Sequence, residues 1–185
     1  WSSVACGDFD EDGRLDFVAG NWGLNDAAQT LGAHPLRLWY GDLAGHGTID
    51  LVESYWTPDL QTEVPRRSLA ALSQAFPMLI EHYPTHFAFS TATTTDLLAR
   101  LPNQAAQVHA ATLQTTLFLN RGDHLLAVPL PPQAQWAPVF GIVVADADGD
   151  GHEDLFLAQN FFALRLEWPR LDAGRGLVLK GDGQG

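Results

Sequence analysis

The sequence predicts a mainly β protein built from repeated pairs of strands, and the evidence is two acidic loops with the apolar runs beside them. The segments Asp8–Asp16 and Asp146–Asp154 share one pattern, with Asp at loop positions 1, 3, 5 and 9 and Gly at position 6. Short apolar runs, such as Phe17–Gly20 and Gly141–Ala145, lie beside the loops. Runs of this length bounded by turn residues are typical of β-strands, so each loop is predicted to connect two strands.

Each acidic loop has the composition of a calcium site. Four carboxylates this close repel one another and destabilise the fold unless a cation neutralises them, and hard oxygen ligands at alternating positions suit Ca²⁺. An EF-hand needs a bidentate Glu at position 12 and a helix on each side, whereas position 12 here is Ala19 or Leu157. A pair of solvated Asp-Gly turns is the alternative, and the repetition of all four Asp positions argues against it.

The composition is that of an ordinary globular chain whose acidity is concentrated in the two loops. The 185 residues are 46% hydrophobic and 17% charged, which allows one domain with a substantial core. Ten of the 22 acidic residues lie in the loops, and two bound Ca²⁺ ions would bring the net charge from −12 to −8. Neither a nucleic acid partner nor direct membrane insertion is predicted. Cys6, the single cysteine, excludes an internal disulfide and is predicted to be a buried, inert thiol.

A third copy of the loop occurs at Asp42–Asp50. It keeps Asp at positions 1 and 9 and Gly at position 6, but Ala44 and His46 replace the aspartates at positions 3 and 5. With two of four carboxylates missing, we interpret it as a repeat that keeps the turn and has lost, or greatly weakened, the metal. Three copies of strand, acidic loop and strand predict a repeat protein whose units bury their faces by stacking on neighbours.

An α-helical insertion separates the second and third copies of the loop. Residues 57–114 lose the strand pattern, and helices are predicted over 66–76, which ends before Pro77, and over 95–101, which ends before Pro102. The predicted organisation is therefore two propeller repeats in 1–56, the α-helical insertion in 57–114, and a hairpin with the third calcium-loop repeat in 115–185.

The number of repeats predicts an arc of a β-propeller. Residues 115–130 read as a hairpin with a turn at Arg121–Asp123, and Gly176–Gly185 repeats the first half of that hairpin. Closing a propeller generally takes four to eight blades, and about three are present. The sequence is therefore expected to be continuous with further blades in a longer chain.

These residues resemble the FG-GAP or VCBS repeat family, the calcium-loop β-propellers related to integrin α-subunit heads, and more narrowly the branch similar to cartilage acidic protein and UnbV-type proteins. The resemblance rests on Gly7–Asn25, Tyr40–Asp42 and Pro138–Leu155, and it extends over nearly the whole chain. It implies a partial propeller of about three FG-GAP/VCBS repeats with an α-helical insertion.

The resemblance also implies a ligand set for each calcium ion. In the first loop the ligands are Asp8, Asp10, Asp12 and Asp16 with the backbone carbonyl of Arg14. In the second they are Asp146, Asp148, Asp150 and Asp154 with the carbonyl of His152. The role predicted for the ion is structural: it would cross-link a loop that lacks internal hydrogen bonds and couple folding to calcium.

Other motifs carry less information about function. The Arg121–Asp123 tripeptide falls at a predicted turn, where Gly and Asp are expected anyway. His82 and His86 have the spacing of helical zinc ligands, but Pro84 between them disfavours a continuous helix. No Gly-x-Ser-x-Gly elbow and no phosphate-binding glycine motif occurs.

The function predicted from sequence is that of a calcium-binding, non-enzymatic scaffold for binding or adhesion. Its expected location is extracellular, at the cell surface or periplasmic, where free calcium is abundant, and its partner is a protein or carbohydrate ligand. Two alternatives remain open: part of a secreted propeller enzyme acting on polysaccharide, and a structural subunit of a surface assembly or filament.

Overall fold

Antiparallel β-sheets dominate the computed structural model, which describes residues 1–26, 34–163 and 168–185. The strands described are β1 Ser3–Gly7, β2 Asp16–Gly20, β3 Leu36–Gly41, β4 Asp50–Thr57, β5 Thr62–Pro65, β6 Ala106–Ala110, β7 Thr116–Asn120, β8 Leu125–Pro129, β9 Val139–Ala145, β10 Asp154–Gln159 and β11 Leu177–Leu179. The helices described are α1 Leu69–Ala75, α2 Leu79–His82, α3 His86–Phe89 and α4 Thr94–Leu98. The prediction of a mainly β fold is confirmed.

The chain divides into two units. The first contains Trp1–Ala27 and Leu113–Gly185, and the second contains Ala28–Thr112. These bounds differ from the three segments 1–56, 57–114 and 115–185 drawn from sequence repeats, and parts of the first and third segments, at 27–33 and 164–167, lie outside the described residues. No described helix is long and apolar enough to cross a membrane.

Two sheets form the first unit, with strand orders β1-β2-β7-β8 and β11-β10-β9. Where β2 pairs with β7, successive side chains lie on opposite faces, as expected of strands. Val18 and Leu117 are therefore buried, at 0% and 5% exposure, in a core with Leu157 of the other sheet, while Phe17 and Phe118 stack on the opposite face with ring centroids 4.8 Å apart.

The second unit combines the sheet β5-β4-β3-β6 with the four helices. Its core contains Val52 from the sheet together with Phe76, Leu79 and Leu97 from the helical segment, all at 0% exposure. The helices are short because side-chain caps and prolines divide the segment. Ser68 accepts a hydrogen bond from the Ala71 N–H at the start of α1, as expected of an N-cap serine.

Most of the predicted elements are confirmed. The pairs β1/β2, β3/β4 and β9/β10 are antiparallel hairpins around the three acidic loops, and β7/β8 is the predicted hairpin. The predicted helices correspond to the shorter α1 and α4. The range 57–114 is not wholly helical, because β5 returns beside β4 and β6 pairs with β3. The β6 sequence Ala106–Ala110 alternates apolar and polar residues, but the run is only five residues long and all of its residues are exposed.

The prediction that Cys6 is buried is wrong. Cys6 is exposed, and its neighbour Gly7 is buried. Cys6 pairs with Phe17, so it lies on the face of the sheet opposite to Val18 and the core, at a strand that forms the sheet's edge. A one-residue difference in strand register moves a side chain to the other face.

Candidate metal centre

All three acidic loops are organised by hydrogen bonds from backbone N–H groups to the aspartate side chains at positions 1 and 9. In the first two loops the carboxylate at position 9 accepts the N–H of position 2, from Phe9 to Asp16 and from Ala147 to Asp154, both at 3.0 Å. In the third loop Asp50 at position 9 accepts the N–H of position 3, from Ala44 at 2.9 Å. The carboxylate at position 1 accepts the N–H of position 5, from Asp12 to Asp8 at 3.1 Å, from His46 to Asp42 at 2.7 Å and from Asp150 to Asp146 at 3.1 Å. The prediction that the loops lack internal hydrogen bonds is therefore wrong.

The aspartates at position 9 of the first unit's two loops are almost fully buried. Asp16 is 1% exposed and Asp154 is 3% exposed. Besides the bond within its loop, Asp16 Oδ1 accepts the Asn120 N–H at 2.7 Å, and Asp154 Oδ1 accepts the Gly181 N–H at 2.9 Å. Asp16 thus ties its loop to the last residue of β7, and Asp154 ties its loop to the segment just after β11.

Three of the four aspartates in each loop converge. Carboxylate oxygens of Asp8, Asp10 and Asp16 lie within 4.8 Å of one another, and so do those of Asp146, Asp148 and Asp154. The two aspartates at position 5 are not in these groups; Asp12 Oδ1 accepts the Arg14 N–H at 2.9 Å and Asp150 Oδ1 accepts the His152 N–H at 3.0 Å. The carbonyl ligands assigned to Arg14 and His152 stay predictions.

Asp10 is the residue that distinguishes the first cluster from a solvated turn. Its side chain is only 6% exposed, its Oδ2 pairs with the Arg121 guanidinium, and its Oδ1 is buried without a hydrogen-bond partner among the described residues. A buried carboxylate oxygen is costly unless a donor or a cation satisfies it. The residues present therefore fit a bound cation between Asp8, Asp10 and Asp16.

Basic side chains from neighbouring strands also contact the acidic loops. Arg121, in the turn after β7, pairs with Asp10, and its Nη1 lies 3.7 Å from Asp12 Oδ2. Within the loop, Arg14 also pairs with Asp12. In the second loop, Lys180 pairs with Asp148. The hydrogen bond between them lowers the pKa of the Asp148 carboxyl and raises the pKa of the Lys180 ammonium. The ion pair with Asp10 gives Arg121 a structural role, so the Arg121–Asp123 tripeptide does not require an adhesion function to account for it.

The two loops of the first unit touch each other. The Asp8 N–H donates to Glu153 Oε2 at 2.6 Å, and His152 Nδ1 contacts the Glu11 carboxylate. The hydrogen bond that the imidazole donates to the Glu11 carboxylate raises the pKa of His152 above its ordinary value of 6.5. Glu11 and Glu153 were not among the predicted site residues, because nothing in the local pattern indicates that the loops meet.

The His152 contact makes a testable prediction in metal-free buffer. Because the folded-state pKa is raised, the contact stabilises the fold fully below pH 6.5, and this contribution is lost as the pH rises through the folded-state pKa. We expect an NMR titration of the imidazole to give a pKa above 6.5, and Glu11→Gln to bring it back towards that value. An equal His152 pKa in both proteins would contradict the contact.

The third loop keeps the architecture with fewer carboxylates. Its position 1 and position 9 aspartates make the hydrogen bonds described above, Ala44 is 7% exposed, and His46 is exposed. In the described part of the chain, no cluster of three potential metal ligands includes Asp42 or Asp50. The shared hydrogen bonds explain how this repeat can form its turn with two aspartates fewer.

The paired histidines of the helical segment lie in different elements. His82 ends α2 and His86 begins α3, with Pro84 in the break between them. The predicted absence of one continuous helix is confirmed.

The evidence for the function of this chain comes from its own residues. The chain matches no protein-family model, no curated protein and no solved structure.

Proposed function

We propose that this chain is a calcium-binding β-propeller segment that acts as a non-enzymatic extracellular scaffold for a protein or carbohydrate ligand. The observation that carries the metal is the buried, unpartnered Asp10 Oδ1 beside the oxygens of Asp8 and Asp16. Carboxylate clusters of this kind suit a hard cation such as Ca²⁺ better than soft metals, which prefer thiolate or imidazole ligands.

The repeated structure of the two sheets supports the blade interpretation. In each sheet the acidic loop joins the first two strands in chain order. The position 9 carboxylate accepts an N–H at or just after the third strand, from Asn120 at the end of β7 or from Gly181, two residues after β11. The two hydrogen bonds match Asn120 with Gly181. The sequence repeat, in which Gly176–Gly185 resembles the segment from Thr116, instead matches Asn120 with Lys180, one residue earlier. Antiparallel sheets that pack face to face and repeat one loop are the architecture of the FG-GAP and VCBS propellers proposed from the resemblance.

The proposed role of the ion is to hold strands together. Asp8 follows β1 and Asp16 begins β2, so an ion bound by both would join two adjacent strands. The hydrogen bonds within the loop already define its turn, and the ion would neutralise the carboxylates that the turn brings together. Such a role requires abundant free calcium, which favours a location outside the cytoplasm.

The proposal predicts two calcium ions per chain. Calorimetry with Ca²⁺, or sensitised Tb³⁺ luminescence, should give a stoichiometry of about two, and Asp148→Ala should reduce it to about one. Asp123→Ala is the matched control, because this aspartate is 87% exposed in the turn after β7 and lies outside both clusters. Absence of divalent binding at millimolar calcium would overturn the proposal.

A further inference from the structure

The residue at position 4 of each acidic loop has a left-handed backbone conformation, with a positive φ, yet only two of the three loops have glycine there. Gly45 and Gly149 have φ values of +74° and +79°, and Glu11 has a φ of +56°. A residue with a Cβ is disfavoured in this region, whereas glycine is not. Strained backbone of this kind persists where the surrounding structure holds it, and such positions cluster at functional sites.

The strained residue is the one that reaches the other loop. The Glu11 carboxylate contacts His152, at position 7 of the second loop. Gly183 leaves room for this contact, since a Cβ at that position would lie 2.8 Å from Glu11 Oε1 and 2.9 Å from His152 Nδ1. Glycine at position 4, as in the two other loops, would remove the contact.

At position 8 the second loop has a glutamate where the other two loops have an apolar residue. Leu15 and Ile49 occupy this position in the other two loops and are 69% and 75% exposed, whereas the second loop has Glu153. Its Oε2 accepts the N–H of Asp8, the first ligand position of the first loop. The approach depends on Gly7, because a Cβ there would lie 2.1 Å from that oxygen.

We infer that the two loops form a coupled pair, so that a cation bound in one loop raises the affinity of the other. This inference rests on the proposed calcium-binding function. Glu153 adjoins Asp154 of the second cluster and holds the Asp8 backbone of the first, so fixing one loop orders a ligand residue of the other. Glu11 lies between Asp10 and Asp12 and provides the reciprocal contact. Coupling between two binding equilibria acts equally in both directions.

A thermodynamic cycle tests the coupling with variants taken from the loops themselves. Glu11→Gly and Glu153→Leu install the residues that sister loops have at positions 4 and 8, and Asp148→Ala disables the second site. In the parent protein, Asp148→Ala should weaken calcium binding at the first loop about fivefold or more, as expected for site-to-site coupling. In the Glu11→Gly/Glu153→Leu background, the same change should alter that affinity less than twofold.

The cycle separates local ordering from long-range electrostatics. Asp148→Ala also removes a negative charge, and this effect should be present in both backgrounds, so only the difference between them reports coupling. Glu153→Gln keeps an oxygen that can accept the Asp8 N–H and should preserve most of the coupling. Circular dichroism checks the fold, and each single variant repeats the test if the paired variant unfolds.

The outcomes distinguish this inference from the function on which it rests. A first-loop affinity that is equally sensitive to Asp148→Ala in both backgrounds would overturn the coupling and leave calcium binding intact. A parent protein that binds no calcium would overturn the proposed function itself.

Discussion

Asp16→Ala is expected to lower the free energy of unfolding by about 3 kcal/mol in metal-free buffer, because it leaves two backbone donors without their acceptor. Asp16 is 1% exposed and accepts the N–H groups of Phe9 at 3.0 Å and Asn120 at 2.7 Å. An unpaired buried donor costs roughly 1–3 kcal/mol. Urea denaturation in the presence of a chelator measures the change.

Two matched variants show whether the hydrogen bonds are responsible. Asp16→Asn keeps one oxygen acceptor but places an amide NH₂ against the other donor, so an intermediate loss is expected. Asp123→Ala removes an exposed aspartate and should change the free energy of unfolding by less than about 0.5 kcal/mol. If Asp16→Ala were as mild as Asp123→Ala, the two buried hydrogen bonds would contribute little.

Asp10→Ala is expected to abolish calcium binding at the first loop while leaving the second loop able to bind. The substitution removes the buried Oδ1 and one of the three converging carboxylates. Losing one hard-oxygen ligand from a three-carboxylate group should weaken binding by roughly 100-fold or more, since even residues that only support ligands are worth about 10–100-fold. Calorimetry should then detect about one site per chain.

The same variant should lose part of the stabilisation that calcium confers. A ligand at 100 times its dissociation constant adds about 2.7 kcal/mol of stability per site, so Asp10→Ala should forfeit a contribution of that size at saturating calcium. Asp42→Ala in the third loop is the control and should leave the calcium stoichiometry at about two. A stoichiometry unchanged by Asp10→Ala would place the ion elsewhere.

The helical segment shows where sequence reasoning succeeds and where it stops. The positions of α1 and α4 follow from local signals, the apolar spacing and the prolines at 77 and 102. Strand β6 carries only a weak signal, a five-residue alternation of apolar and polar residues that are all exposed, and its pairing with β3 decides its place. Edge strands of this type are defined by a partner that lies far away in the chain.

Local sequence pattern was sufficient to predict the acidic loops and the hairpins around them. These features are local, because a nine-residue loop and its flanking strands involve only neighbours in the chain. The four aspartates predicted for each loop include the three that converge, together with one, Asp12 or Asp150, that is not in the cluster.

The surroundings of those aspartates depend on long-range packing. Asn120 lies 104 residues from Asp16, and Glu153 lies 145 residues from Asp8, so no local pattern encodes either contact. The burial of Asp10 and its pairing with Arg121 likewise depend on how β7 lies against the first loop. The physical reason is that spacing along the chain specifies which groups can act together locally, whereas packing of the strands specifies which groups lose water and which reach a partner.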